Sequence, residues 1–126
     1  MLINLSNHPS ANWSEQQIEA AKEQFGNIKD LPFPQIDPSA NPFQVAKMAE
    51  NYFNRIRKMF NDAGIITLAN SAVHIMGELT FCHVLIGLLH KKGYKCVAST
   101  TERSIIEEKD GRKTAQFTFV QFREYT

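Results

Sequence analysis

Residues 72–80 read Ala-Val-His-Ile-Met-Gly-Glu-Leu-Thr. The first five, apolar apart from one histidine, have the length of a buried strand. Gly77-Glu-Leu-Thr80 then opens a helix whose apolar positions Leu79, Phe81, Val84, Leu85, Leu88 and Leu89 recur at helical spacing. A strand that runs straight into a helix is half of a parallel crossover unit, and the rest of the chain repeats the step.

Upstream, residues 1–5 predict a short buried strand. Ser14-Glu-Gln-Gln17 has the capping-box pattern, and Ile18, Ala21 and Phe25 mark a helix that stops at Gly26. A second strand is expected at about 27–31. Four of the five prolines fall between Pro32 and Pro42, which predicts an ordered, non-helical loop. A long helix follows from Asn41-Pro42 to about residue 62, with Val45, Ala49, Tyr52, Phe53, Ile56, Met59 and Phe60 on one stripe. Residues 64–71 read as extended or as an approach to the next strand.

Downstream, Lys91-Lys-Gly93 closes the helix and 94–98 is a fourth strand. Residues 99–103 read as the loop after it. Segments 104–109 and 113–122 flank Asp110-Gly111, a favoured pair for a two-residue hairpin turn. The expected fold is a single α/β domain over 1–126, three-layered and Rossmann-like. Its sheet is mostly parallel in the order 2-1-3-4, with an antiparallel C-terminal hairpin. In that topology the segments 6–13, 77–80 and 99–103 share the carboxyl edge of the sheet. Strand order reverses between the first and third strands, where such sheets open a ligand crevice.

The 126 residues suit one domain, and 43% hydrophobic content is ordinary for a globular chain. Fourteen Lys and Arg against thirteen Asp and Glu leave a net charge of +1, which argues against a long basic surface for duplex nucleic acid. A small nucleotide needs only a local cluster of donors. Cys82 and Cys96 are too few for a cysteine-rich metal cage and read as buried thiols. The N-terminus lacks the make-up of a signal peptide and no apolar run is long enough to span a bilayer, so a cytoplasmic location is expected.

Ser6-Asn-His-Pro-Ser10 follows the first strand. His8 there can donate to phosphate or move a proton, or it is a solvated turn histidine. Trp13 and Ile18 stand at the two positions of a hydrophobic staple, so packing accounts for the indole. Gly77 and Glu78 sit where helix amides are free. The glycine permits close backbone approach, and the carboxylate is a ribose acceptor, a base or a first-turn stabiliser. In Ser99-Thr-Thr-Glu-Arg103, hydroxyls precede a guanidinium suited to clamping phosphate. His74, inside a central strand, reads as a core histidine with satisfied bonds. No dinucleotide fingerprint, P-loop, nucleophile elbow or His-Glu-x-x-His is present, and no cofactor or metal is expected.

Ser6, His8, Ala11 and Trp13 after a first strand resemble the Ser-Arg-His-x-Gly-Ala segment and following tryptophan of a group of small CRISPR-associated proteins with a Rossmann-like, CARF-related fold. Asn7 and Ser10 stand where that group has arginine and glycine. Gly77-Glu-Leu-Thr-Phe-Cys-His83, then Gly93-Tyr94 and the strand into Ser99, is similar in layout to the same group. Several of its relatives are ring nucleases. The resemblance implies binding of cyclic oligoadenylate, the second messenger of type III CRISPR defence, and its metal-independent cleavage by ribose 2′-hydroxyl attack. It also implies a homodimer, since the two-fold in a four-adenylate ring matches a two-fold pair of crevices. In this reading His8 is the acid or base and Arg103 stabilises phosphorane charge. Ser6, Asn7, Ser99, Thr100 and Thr101 are positioning donors, with Ser10, Gly77 and Glu78 also against the ligand. A non-catalytic sensor, a nucleoside-deoxyribosyltransferase-like enzyme using Glu78, and an adaptor using the hairpin are the alternatives.

Overall fold

A computed structural model describes residues 1–126. In chain order the elements are β1 (Leu2–Ser6), a 3-10 turn (Ser10–Asn12), α1 (Glu15–Phe25), β2 (Ile28–Asp30), α2 (Pro42–Asp62), β3 (Ala72–Met76), α3 (Leu79–Lys91), β4 (Cys96–Glu107) and β5 (Lys113–Glu124). The five strands form one sheet in the order β2-β1-β3-β4-β5, with only the β4–β5 pair antiparallel. This is the expected topology, with β5 as its outer edge.

Local signals place the helices. The Ser14 hydroxyl accepts from the Gln17 amide at 3.2 Å and caps α1. The reciprocal box forms at α2, where Asn41 and Gln44 exchange two 2.8 Å bonds and Pro42 fills the first turn. Residues 64–71 contain no helix or strand.

Helices cover the two sheet faces unequally. α2 and α3 bury Ile3, Leu5, Val73 and Ile75 together with Val45, Ile56, Phe60, Phe81 and Leu85 in the larger core. Fully burying such a side chain contributes roughly 1.5–3 kcal/mol. On the other face α1 alone packs Ala21 and Phe25 over Leu2, Ala72, Val97 and Phe122. Side chains alternate along a strand, so that second face continues as Asn4 and Ser6 on β1, His74 and Met76 on β3, and Ser99 and Thr101 on β4. It turns from apolar to polar toward the carboxyl ends. The eleven residues of α1 cover only the apolar half, and the polar half opens as a crevice.

Two sequence expectations change at the C-terminal side. Residues 99–103 are no loop: β4 runs unbroken to Glu107, because β5 pairs with it from Val97↔Glu124 to Glu107↔Lys113. Only Cys96 and Val97 pair with β3, so beyond them the two strands project as a ribbon. The hairpin connection also exceeds two residues. Glu108 N–H donates to Arg112 O at 2.7 Å, Gly111 takes φ +85°, and Asp110 accepts from the Arg112 guanidinium at 2.6 Å. That is the longer loop with a left-handed glycine, rather than a tight two-residue turn. Both cysteines are buried free thiols.

Candidate functional site

The crevice lies over the carboxyl ends of β1 and β3 and the first half of β4, between the segment that enters α1 and the projecting ribbon. It encloses about 710 Å³ and is lined by residues that include His8, Trp13, His74, Ser99, Thr101 and Phe117. A second hollow of about 390 Å³ on the opposite side of the sheet is lined by Met76, Leu79, Cys82, Ile86 and the C-terminal residues. It is mostly apolar, and burial pushes the Cys82 thiol up to about 11, so no reactive thiolate stands there. The first crevice combines volume with convergent polar groups, the combination expected of a small-molecule site.

Its floor is a hydrogen-bonded chain across four strands. The Asn4 side-chain amide donates to Asp30 Oδ1 on β2 at 2.8 Å and to the His8 carbonyl at 2.9 Å. Both partners are acceptors, so the amide nitrogen must face them and Asn4 Oδ1 must face the other way. That oxygen accepts from the Ser6 hydroxyl at 2.8 Å and from His74 Nδ1 at 2.9 Å. His74 Nε2 lies 2.8 Å from Ser99 Oγ on β4. The imidazole is 2% exposed, and burial, then the nearby His8 charge, lowers its pKa to about 4. At neutral pH it is uncharged, with the proton on Nδ1 and a lone pair on Nε2. Ser99 therefore donates to His74. The expectation of a buried, bonded histidine holds, but the ring also lies at the base of the crevice.

Around this floor stand aromatic groups. Trp13 Nε1 donates to the His8 carbonyl at 3.0 Å, and its ring meets His74 edge-on at 5.3 Å and Phe122 at 6.0 Å. The indole thus belongs to the crevice as well as to the start of α1. Phe117 and Phe119 face it from β5, with Phe119 packed 5.0 Å from Phe122.

The sequence-predicted residues separate into distinct groups. His8, Ser99 and Thr101 line the crevice. Ser6 is buried beneath it, its hydroxyl given to Asn4 and accepting from the His8 amide at 3.2 Å. Ser10 is held by Asp30, through its hydroxyl at 2.8 Å and its amide at 3.1 Å. Asn7 opens instead into a small hollow of about 210 Å³ beside Pro32 and Phe33. Thr100 points to the other face and reaches the Gln121 carbonyl at 3.3 Å. Arg103 is exposed on the crevice face of β4, one alternation beyond Thr101 and opposite Phe117, which does line the crevice.

Gly77 and Glu78 have local explanations. A Cβ on Gly77 would enter the Phe33 ring, so the glycine makes room for a side chain of this chain rather than for a ligand. Glu78 caps α3 by accepting from the Phe81 amide at 2.8 Å and from the Thr80 hydroxyl, bonds that hold its carboxyl below the usual range. That leaves it poorly placed as the nucleophile of a glycosyl transfer.

Sequence reading overlooked Asn4 and Asp30, offered Phe117 and Phe119 only as the hairpin surface of the adaptor alternative, and gave His74 no role beyond packing. The available signal was polar residues at alternate positions of otherwise apolar central strands, Asn4 and Ser6 in one and His74 in the other. No group of three or more His, Cys, Asp or Glu side chains converges as metal ligands, and no helix is long and apolar enough to cross a membrane.

No curated protein and no solved structure matches the chain. A family model does match it from residue 1 to residue 123, a span that includes the crevice floor, both of its walls and nearly all of β5. By that match the chain belongs to the uncharacterized protein MJ1673 family.

Proposed function

We propose that the crevice binds a cyclic oligoadenylate, the second messenger of type III CRISPR defence, and cleaves it without metal by attack of a ribose 2′-hydroxyl on the adjacent phosphorus. The observation that carries this reading is the lining. Aromatic side chains on two walls suit adenine faces, and the hydroxyls and the His8 imidazole between them suit ribose and phosphate. The resemblance of Ser6, His8, Ala11 and Trp13 to a segment of small CRISPR-associated proteins of the ring-nuclease type points the same way.

The chemistry needed is alignment, proton transfer and stabilisation of phosphorane charge. His8, exposed on the rim with no hydrogen bond to its ring, is free to reach a leaving oxygen. Arg103, on the same strand face beyond Thr101, supplies a guanidinium on the crevice side of the ribbon for a phosphate that spans the opening. Thr101 positions the substrate from the wall.

One crevice covers one side of such a ring, and a two-fold homodimer closes the other. The ribbon suits that contact. Ile105, Ile106, Phe117 and Val120 are large exposed apolar side chains on it, and an isolated pair of strands is marginal without further packing.

The test is incubation with a panel of cyclic oligoadenylates, with and without EDTA, followed by mass analysis. A linear product ending in a 2′,3′-cyclic phosphate, formed despite chelator, is expected. Binding without any product would reduce the protein to a sensor, and neither binding nor product would overturn the reading.

A further inference from the structure

The hydroxyl of Ser99 has one proton, and the hydrogen-bond chain fixes where it goes. Asp30 and the His8 carbonyl orient Asn4, Asn4 Oδ1 takes the Nδ1 proton of His74, and Nε2 is left as an acceptor 2.8 Å from Ser99 Oγ. The thioether of Met76, 3.3 Å from the same oxygen, is a weaker acceptor than an imidazole nitrogen. Ser99 therefore turns its lone pairs, not its proton, toward the crevice. It is unavailable as a donor to phosphate and well placed to accept from a ligand hydroxyl.

We propose that Ser99 and His74 form a proton relay that serves as the base of the reaction, with Asn4 and Asp30 as positioning residues. This rests on the cyclic-oligoadenylate reading above. As the 2′-oxygen bonds to phosphorus, its proton passes to Ser99 Oγ while the Ser99 proton passes to His74 Nε2. The bond from phosphorus to the 5′-oxygen breaks, and His8 gives that oxygen a proton. The product carries a 2′,3′-cyclic phosphate, and both imidazoles return to their starting state by exchange with water. Ser99 is the group that touches the substrate. His74 acts through it, and neither role is assigned by the sequence motifs.

The experiment compares the unaltered protein with Ser99→Ala and Ser99→Thr under saturating ring, with affinity measured alongside. A relay predicts that Ser99→Ala loses 10²- to 10⁴-fold in turnover, well beyond the roughly tenfold in affinity that one lost hydroxyl contact accounts for, and that Ser99→Thr recovers most of the rate. Ser99→Ala turning over within about threefold of the unaltered protein would overturn the relay and leave ring cleavage standing. Failure of the unaltered protein to cut any ring would instead overturn the reaction, and the relay with it. Nitrogen-15 NMR of the His74 ring gives a substrate-free check. Nδ1 protonated and Nε2 bare is expected at neutral pH, and a protonated Nε2 would contradict the proposal.

Discussion

Asn4 on β1 and His74 on β3 are direct register partners, and their side chains meet at 2.9 Å beneath the crevice. The contact holds two neighbouring strands together through polar groups and also selects which ring nitrogen faces Ser99. Removing Asn4 should therefore be costly. Asn4→Ala leaves the buried His74 Nδ1 proton without its acceptor and takes one donor each from Asp30, which keeps Ser10, and from the His8 carbonyl, which keeps Trp13. An unsatisfied buried polar group costs about 1–3 kcal/mol, so a loss of about 2–4 kcal/mol in denaturant unfolding is expected. A loss under about 1 kcal/mol would show that water replaces the amide freely.

Stability should depend on pH through His74. Its pKa falls from 6.5 in a free chain to about 4 when folded, so the unfolded state binds the proton more readily. The contribution is complete above pH 6.5 and is lost as pH falls from there toward 4. It amounts to on the order of 3 kcal/mol across that window. The charged and titratable groups that bear on the ring are His8, on the rim, and Asp30, through Asn4. Unfolding free energies that are flat between pH 6.5 and 5, or a His74 ring that titrates near 6.5 by NMR, would contradict this.

Thr100 and Thr101 are neighbours in sequence and opposite in face. Thr101→Val should weaken ring binding by about tenfold, near 1.4 kcal/mol, through loss of a hydroxyl contact. Thr100→Val should leave it unchanged. Equal effects of the two substitutions would mean that the ligand does not sit on the α1 side of β4.

Gly77 tests whether the start of α3 serves packing or a ligand. Gly77→Ala pushes a methyl into Phe33 and should destabilise the fold by about 1–3 kcal/mol. In the Phe33→Ala background the same change should cost much less, a coupling that a double-mutant cycle measures. Equal costs in both backgrounds would place the constraint elsewhere.

Most of the fold was legible because each helix announces itself by caps and stripes, and because strand–helix alternation leaves few topologies. The order β2-β1-β3-β4 and the antiparallel edge followed from that. The extent of β4 was not legible, since Ser99-Thr-Thr has the composition of a loop and becomes strand only because β5 pairs with it. The site was legible in part. His8 and Ser99 were found as polar residues near strand ends. Asn4 and His74 lie inside strands, where apolar neighbours signal packing, and their partnership depends on a cross-strand register that no local pattern encodes. Thr100 failed for a related reason: in a loop it could face a ligand, whereas in a strand alternation turns it away.

Trp13, the chain's single tryptophan, is part of the crevice wall and so reports directly on whether the crevice holds the ligand. Titrating the protein with cyclic tetra-adenylate and cyclic hexa-adenylate while following Trp13 fluorescence should give a saturable change with at least one ring. His8→Ala should keep that change while losing 10²-fold or more in cleavage. No change with any ring, at concentrations up to about 1 mM, would contradict the assignment of this crevice to a cyclic oligoadenylate.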